Sequence, residues 1–368
     1  MKKYRVGVIG FAHMHINSLV KDFVNLGDKI EWVACADLKP ATPSLSEKPS
    51  TRAHNIKNVM DMTKMTTLYE DYNQLLDESD LDIAIVCCEN SLHGKVVSDI
   101  LLRGIHVVVE KPMATSMTDA LRMVYAAKEG NATLAVNWPS TWNPGIRLAH
   151  ELTSKGVVGR VFKFTYRNSD SQGPFSYGEN LTDLEKSTQW WYDARTGGGA
   201  FWDYCCYGSC LASWFIGSPL RSAYGLRANF DSPYGNAEDY GTITARFDNA
   251  IAIIEGSWTT VNSGVPSGPI VFGLEGTLVT DGNEVRVYDK RHTTTPSAVY
   301  HAEPLPENRN NIAKEFLHHL ETGEPLHPTL DIETNLNAMM ILDAGYRSSL
   351  SGKLEQASGY HYAPANLQ

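Results

Sequence analysis

The sequence predicts an α/β protein: an N-terminal Rossmann-type, doubly wound parallel sheet, followed by an α/β domain with an open, largely antiparallel sheet. Three observations predict it. The first third alternates short, near-continuous apolar runs with segments of helical spacing, the pattern of parallel strands covered on both faces. The remainder carries strands that alternate apolar and polar residues and are joined by Gly, Asn and Asp turns. The length, 368 residues, suits about two domains.

The elements follow in order. Arg5–Ile9 is a buried-strand candidate, Ile16–Leu26 has helical spacing, and Ile30–Ala36 is a second buried strand. Tyr69–Glu78 reads as a helix. Asp82–Cys88, Leu92–Arg103, Ile105–Val109, Met117–Glu129 and Thr133–Asn137 continue the alternation of strand and helix. Right-handed crossovers make this a doubly wound domain. Leu38–Thr67 breaks the rhythm, because a βα unit needs a much shorter connection. It reads as an insertion with a short helix, near the adenosine end of any bound nucleotide. Two prolines and two tryptophans in Trp138–Pro144 mark the expected boundary, giving domains 1–137 and 138–368. Beyond it, Asn143–Lys155 is helical. Val161–Arg167, Leu220–Asn229, Thr242–Asp248, Ile251–Trp258, Ile270–Leu274 and Glu284–Tyr288 are strands. Asn311–Glu321 and Ile332–Leu350 are closing helices.

Composition excludes several classes. The net charge of −10 argues against a dedicated nucleic-acid binder. It permits an anionic cofactor, because backbone N–H groups and helix N-termini hold phosphates without net positive charge. No apolar run approaches the ~18 residues of a membrane span, and Val6–Phe11 is too short for a signal peptide. The six cysteines, Cys35, Cys87, Cys88, Cys205, Cys206 and Cys210, lie in apolar segments without paired Cys-x-x-Cys spacing. They read as buried reduced thiols, which points to the cytoplasm. The histidines form no defensible ligand set, and no metal is expected.

The turn after the first strand reads Gly10-Phe11-Ala12-His13-Met14-His15. A dinucleotide fingerprint places glycines at positions 10, 12 and 15, and only Gly10 conforms. Asp37 ends the second strand, 22 residues after His15, near the spacing of about 20 at which a carboxylate meets the ribose diol. It would repel a 2′-phosphate, so the expected cofactor is NAD rather than NADP. The plain alternatives are an ordinary strand-to-helix turn and a capping aspartate.

Further motifs appear in a fixed order. Asn90-Ser91-Leu92-His93 follows the fourth strand and Glu110-Lys111-Pro112 the fifth. Asn143-Pro144 precedes Gly156-Val157-Val158-Gly159. Gly197-Gly198-Gly199-Ala200 leads to Asp203, and Thr322-Gly323-Glu324-Pro325 precedes a final helix ending at Ser351-Gly352. Over nearly its whole length the chain resembles the glucose–fructose oxidoreductase / inositol dehydrogenase / rhizopine-catabolism (Gfo/Idh/MocA) family. The resemblance implies a Rossmann domain and an α/β domain whose open sheet often forms an oligomer interface, here a homo-dimer or tetramer. It implies oxidation of a secondary alcohol of a sugar, inositol or glycoside with a nicotinamide cofactor. Many relatives carry histidine four residues after the aspartate; Tyr207 stands there, as in the tyrosine-containing branch.

The reaction needs the carbinol hydrogen aimed at the nicotinamide and a group to take the hydroxyl proton. Lys111 ends a strand at the mouth of the sheet, where an ammonium can stabilise developing alkoxide. Its pKa is open to lowering by desolvation. A surface lysine paired with Glu110 is the bland alternative. Asp203 and Tyr207, four apart, share a helix face. Tyr207 is assigned as acid/base, Lys111 as its electrostatic partner and Asp203 as substrate anchor; an interior aromatic is the alternative for Tyr207. Gly10, Phe11, Ala12 and His13 are expected at the cofactor with Asp37, Asn90, His93, Glu110, Lys111 and Asn137, His93 equally as a packing residue. Trp138, Trp142, Trp190, Trp191 and Arg195 are candidate substrate contacts, since indole faces stack on sugar C–H surfaces; core packing is the alternative for the tryptophans. Two other activities fit the same motifs: an NAD-dependent glycosidase acting by transient oxidation and elimination, and a nucleotide-sensing regulator without turnover.

Overall fold

Burial on both faces assembles the first third into one sheet. The computed structural model describes residues 2–168, 172–261 and 264–357. Its first six strands are β1 (Tyr4–Ile9), β2 (Ile30–Ala36), β3 (Leu68–Tyr69), β4 (Ile83–Val86), β5 (His106–Glu110) and β6 (Leu134–Asn137). They pair in the order β3-β2-β1-β4-β5-β6, each pair parallel. Every residue of β4 and β6 is buried, which explains their unbroken apolar character. The helices between strands are α1 (His15–Val24), α2 (Arg52–Thr63), α3 (Tyr72–Glu78), α4 (His93–Leu101) and α5 (Met117–Glu129). In α1, Ile16, Leu19, Val20 and Phe23 form one buried stripe at helical spacing. Strand order reverses between β1 and β4, so their C-terminal ends flank the crevice where such sheets bind ligands.

Two local differences from the sequence reading have physical causes. Tyr69 lies in β3, paired with Ala36, and not in a helix. The helix α3 starts at Tyr72 because the Asp71 carboxylate accepts the Asn73 N–H at 2.8 Å. The inserted stretch contains α2, whose first turn is capped by Thr51. It is tied to α1 by side-chain hydrogen bonds in which Asn17 donates to Asn55 and Asn58 donates to Asn17, both 2.9 Å.

The second part begins with α6 (Pro144–Ser154), β7 (Val161–Asn168) and two short helices, α7 (Pro174–Tyr177) and α8 (Asp183–Ser187). A wide π turn, Phe201–Cys205, runs into α9 (Cys206–Ile216). Then come β8 (Leu220–Ala228), β9 (Tyr240–Phe247), β10 (Ile251–Ser257), β11 (Ile270–Gly273), β12 (Thr277–Asp281), β13 (Glu284–Tyr288) and β14 (Ala298–His301). The helices α10 (Ile312–Thr322) and α11 (Ile332–Ser351) and the short β15 (Glu355–Gln356) close the described chain. The sheet order is β14-β13-β12-β11-β7-β10-β9-β8-β15. Among the described residues of this sheet, only the β10–β7 pair is parallel. Neither β12 nor β14 belongs to the predicted strands: β12 is five residues between turns, and β14 is an edge strand with most of its residues exposed. The helices α9 and α11 pack on one face, and α11 also touches α5 and β6. The opposite face carries exposed Tyr224, Leu226, Ile251 and Ile253.

Candidate active site

Lys111 follows β5 directly, so the sheet fixes its position. The Lys111–Pro112 peptide is cis. The side chain is 3% exposed, yet its ammonium is fully engaged in a polar site. Nζ donates to Asp203 Oδ1 at 2.5 Å and to the Asp203 carbonyl at 3.0 Å. It also stands 5.0 Å from the centre of the Tyr207 ring. Burial pushes the ammonium toward neutrality, but the charges of Asp203, Tyr207, Cys206 and Glu110 prevail and its pKa lies well above the usual lysine value. The expected fall by desolvation therefore does not occur. The protonated form of Lys111 is therefore favoured, and its ammonium is a hydrogen-bond donor.

The π turn places its partners. Asp203 lies inside the widened turn, and Tyr207 follows in α9. Such turns interrupt the ordinary helix hydrogen-bond ladder and are frequent at functional sites. The turn is entered through Gly199, with φ of +105°, where an added Cβ would lie 2.2 Å from Glu238 Oε1. Only glycine fits. Asp203, expected as the substrate anchor, is engaged within the protein: Oδ1 holds Lys111 and Oδ2 accepts the Trp258 indole N–H at 3.1 Å. The Tyr207 ring packs edge-on against Trp138 at 5.6 Å. Burial raises its phenol pKa well above the usual value, and Lys111 pulls in the other direction without prevailing. Tyr177 and Tyr204 stand nearby with hydroxyls 3.0 Å apart.

Glu110 forms the next part of the constellation. Its Oε1 meets His15 Nδ1 at 2.8 Å and its Oε2 accepts from Asn137 at 3.2 Å. Burial pushes its carboxyl up, but His15, Lys111 and Asn137 outweigh this and hold it below the usual range. The histidine that breaks the glycine fingerprint thus links the Rossmann turn to the strand bearing Lys111. His13 is buried against His15, Tyr177, Trp190 and Trp191; burial and then the neighbouring His15 and Lys111 hold its pKa well below the usual value.

Several expected ligand contacts are engaged within the protein. His93 is fully buried, with Nδ1 2.9 Å from the Pro112 carbonyl and Nε2 3.2 Å from that of Cys88. It ties the Pro112 and Cys88 backbones together. Asn90 donates to the Gly197 carbonyl at 2.9 Å. Trp138 is buried, its N–H on Asn335 at 2.8 Å, and Trp142 donates to Asn137 at 3.4 Å. Trp190 donates to the Ala12 carbonyl at 2.8 Å, and Trp191 is buried beside it. Arg195 is 83% exposed and paired with Asp193, away from the buried cluster.

The other end of the site centres on Asp37. Its Oδ1 accepts from Arg52 Nη1 at 2.6 Å, and Arg52 Nη2 donates to Glu89 Oε1. Burial raises the pKa of both carboxyls, with Arg52 opposing. A cleft lies between the two parts of the chain, lined by Ala12, Ser44, Arg52, Glu89, Trp190 and Thr196 among others. Sequence reading missed His15, Arg52 and Glu89. The signal for His15 was the broken fingerprint itself; for Glu89 it was a carboxylate directly after an apolar strand run. Arg52 gave none, because its partners are 15 and 37 residues away.

Comparison with known proteins agrees with this architecture. The family described as "Oxidoreductase family, NAD-binding Rossmann fold" matches residues 4–138, and the "GFO/IDH/MocA C-terminal domain" matches residues 146–279. The myo-inositol 2-dehydrogenase of Thermotoga maritima is 22% identical over 96% of this chain and 100% of its own length. The uncharacterized oxidoreductase YrbE of Bacillus subtilis is 24% identical; that match spans 63% of this chain and 64% of the relative. A levoglucosan dehydrogenase solved with NADH and levoglucosan superposes with a TM-score of 0.71 at 17% identity, covering 97% and 100% of the two chains. That likeness is one of fold.

Proposed function

Because the chain belongs to the GFO/IDH/MocA family of oxidoreductases with an NAD-binding Rossmann fold, we propose that it transfers a hydride between NAD and a secondary alcohol of a sugar, inositol or glycoside. The observation that carries this is Lys111: a buried, charged ammonium at the sheet's C-terminal edge, bonded to Asp203 and beside Tyr207. The named activities of relatives, inositol and levoglucosan dehydrogenation, support the substrate class.

The residues fit a dinucleotide. Gly10, with φ of +84°, lets the turn pack directly on Cys88, whose backbone nitrogen would lie 2.6 Å from an added Cβ. Glu89 Oε2 is buried in the cleft wall without a hydrogen-bond partner among the described residues. On this reading the turn Gly10–His13 holds the pyrophosphate, Asp37 the adenosine ribose, and Glu110 and Asn137 the nicotinamide end. NAD, when bound, supplies the hydride chemistry.

The chain's own part is proton handling and position. Lys111 donates to the reacting oxygen and offsets developing negative charge there. Asp203 holds that ammonium charged and aimed. Tyr207 rests protonated, so it delivers a proton when a carbonyl is reduced. In the oxidative direction a phenolate must form, and Lys111 is the group that lowers its energy. The buried tryptophans exclude water from the reacting centre.

We also assign residues 1–137 to the cofactor and 138–368 to substrate and self-association. The exposed apolar side chains on the free sheet face support the second role. Six buried free thiols support a cytoplasmic location.

The test combines direct NAD binding with turnover of a panel of polyols, sugars and glycosides, read by absorbance of the reduced cofactor and by product analysis. NAD binding with turnover of at least one polyol is expected. Aglycone release without net cofactor reduction would replace this reading with the glycosidase. Binding without any reaction would replace it with a sensor.

A further inference from the structure

We propose that Glu89, held in place by Arg52, is a second ribose-reading carboxylate, and that with Asp37 it sets the preference for NAD over a cofactor bearing a 2′-phosphate. This rests on the reading above that the cleft receives a dinucleotide.

Glu89 follows β4 in the loop at the switch point of the sheet and is 4% exposed. One oxygen accepts from Arg52, while Oε2 has no hydrogen-bond partner among the described residues. A buried carboxylate oxygen without a donor is destabilising, so the site is complete only when something donates to it. Glu89 lines the cleft together with Ala12 of the Rossmann turn and Arg52. A ribose diol is uncharged and offers two O–H donors, which matches the need.

The charge balance points the same way. Asp37 and Glu89 bring two negative charges, and Arg52 brings one positive charge. Both terminal nitrogens of Arg52 are already committed, to Asp37 and to Glu89. An arginine near this position would ordinarily accommodate a 2′-phosphate; here its planar fork is occupied by carboxylates. The remaining net negative charge repels a phosphate of about −1.5 to −2 charges. Arg52 is therefore a positioning residue. Its helix is anchored for that work: Asn55, one turn on, is fully buried and donates to the Phe11 carbonyl at 3.0 Å. The insertion in the Rossmann pattern thus has a use, which is to carry an arginine to two acids of the parent sheet.

The experiment titrates the full-length protein with NAD, NADP and NAD lacking the adenosine 2′-hydroxyl, followed by tryptophan fluorescence and calorimetry. The wild type is expected to bind NAD about 100-fold more tightly than NADP, and Glu89→Gln to weaken NAD and to narrow the ratio, each about tenfold. Arg52→Gln is expected to weaken NADP as well as NAD, so that the ratio does not narrow as it does in Glu89→Gln. Equal binding of NAD and NADP by the wild type overturns the proposal without any variant. So does a Glu89→Gln protein, folded by circular dichroism, that keeps both affinities. If wild type binds no nucleotide at all, the functional reading falls, and this inference with it; tight NAD binding indifferent to Glu89 sinks this inference alone.

Discussion

Replacing Asp203 by asparagine removes the negative charge that keeps Lys111 protonated, and the consequence is calculable in sign. In the wild type the lysine pKa is raised above 10.5. Between the unfolded and folded values the native state holds a proton that the unfolded chain has lost. Its stabilisation is thus complete below pH ~10.5 and declines as pH rises through the folded value. In Asp203→Asn the largest raising influence is gone, and burial remains to push the value down. Once the folded value lies below the unfolded ~10.5, the unfolded chain binds the proton better and stability rises with pH between the two values. At pH 7 the isolated buried ammonium should cost about 3–5 kcal/mol, a large part of the ~5–15 kcal/mol typical of a folded domain. Replacing both partners, Lys111→Met with Asp203→Leu, should recover most of this loss, because no unpaired charge remains. Turnover should not recover, since the cation that stabilises alkoxide is absent; a drop of about 10²–10³-fold or more is expected. Urea denaturation at several pH values and steady-state kinetics on the three proteins check these outcomes. If Asp203→Asn loses less than ~1 kcal/mol at pH 7, or its stability falls with pH as the wild type's does, the buried-pair reasoning is wrong.

Three further outcomes are expected. Tyr207→Phe should lower kcat by about 100-fold or more with stability within ~1 kcal/mol, because the ring keeps its packing on Trp138; kinetics with near-ultraviolet circular dichroism checks this, and a loss below tenfold removes Tyr207 from proton transfer. Gly10→Ala should destabilise by ~2 kcal/mol or more, since the new Cβ meets the Cys88 backbone at a positive φ; an unchanged melting curve would contradict the packing of that turn. Burial raises Asp22 to about 6, so its ionised form is disfavoured in the fold. Asp22→Asn should stabilise by ~1 kcal/mol at pH 8 after allowance for partial exposure, and the gain should shrink from pH ~6 and vanish below ~4; thermal melts across that range test it.

What the sequence reveals depends on how local the cause is. The parallel strands are legible because each is buried on both faces and so must be apolar throughout, as in Ile83–Val86. Asp37 and Lys111 are legible because strand ends at the sheet's edge fall at fixed distances along the chain. The capped start of α3 and the edge strand β14 are less legible: one turns on a single aspartate, the other has no buried face to impose a pattern. Least legible are the partners. Lys111 was expected beside Tyr207, and it is; that Asp203 holds its ammonium through both a carboxylate and a carbonyl follows from a π turn that no spacing rule anticipates.

The pairings explain why a motif can be read while its chemistry is misjudged. A lysine at a strand end invites the expectation that burial will lower its pKa, because burial is what the sequence pattern conveys. The sign of the shift is decided by a carboxylate 92 residues later. The same holds for Asp37, read as a lone ribose acceptor: its charge is shared with Glu89 through Arg52. Local sequence therefore identifies which side chains can do chemistry. The long-range pairs set their protonation, and with it whether a site gives a proton or takes one.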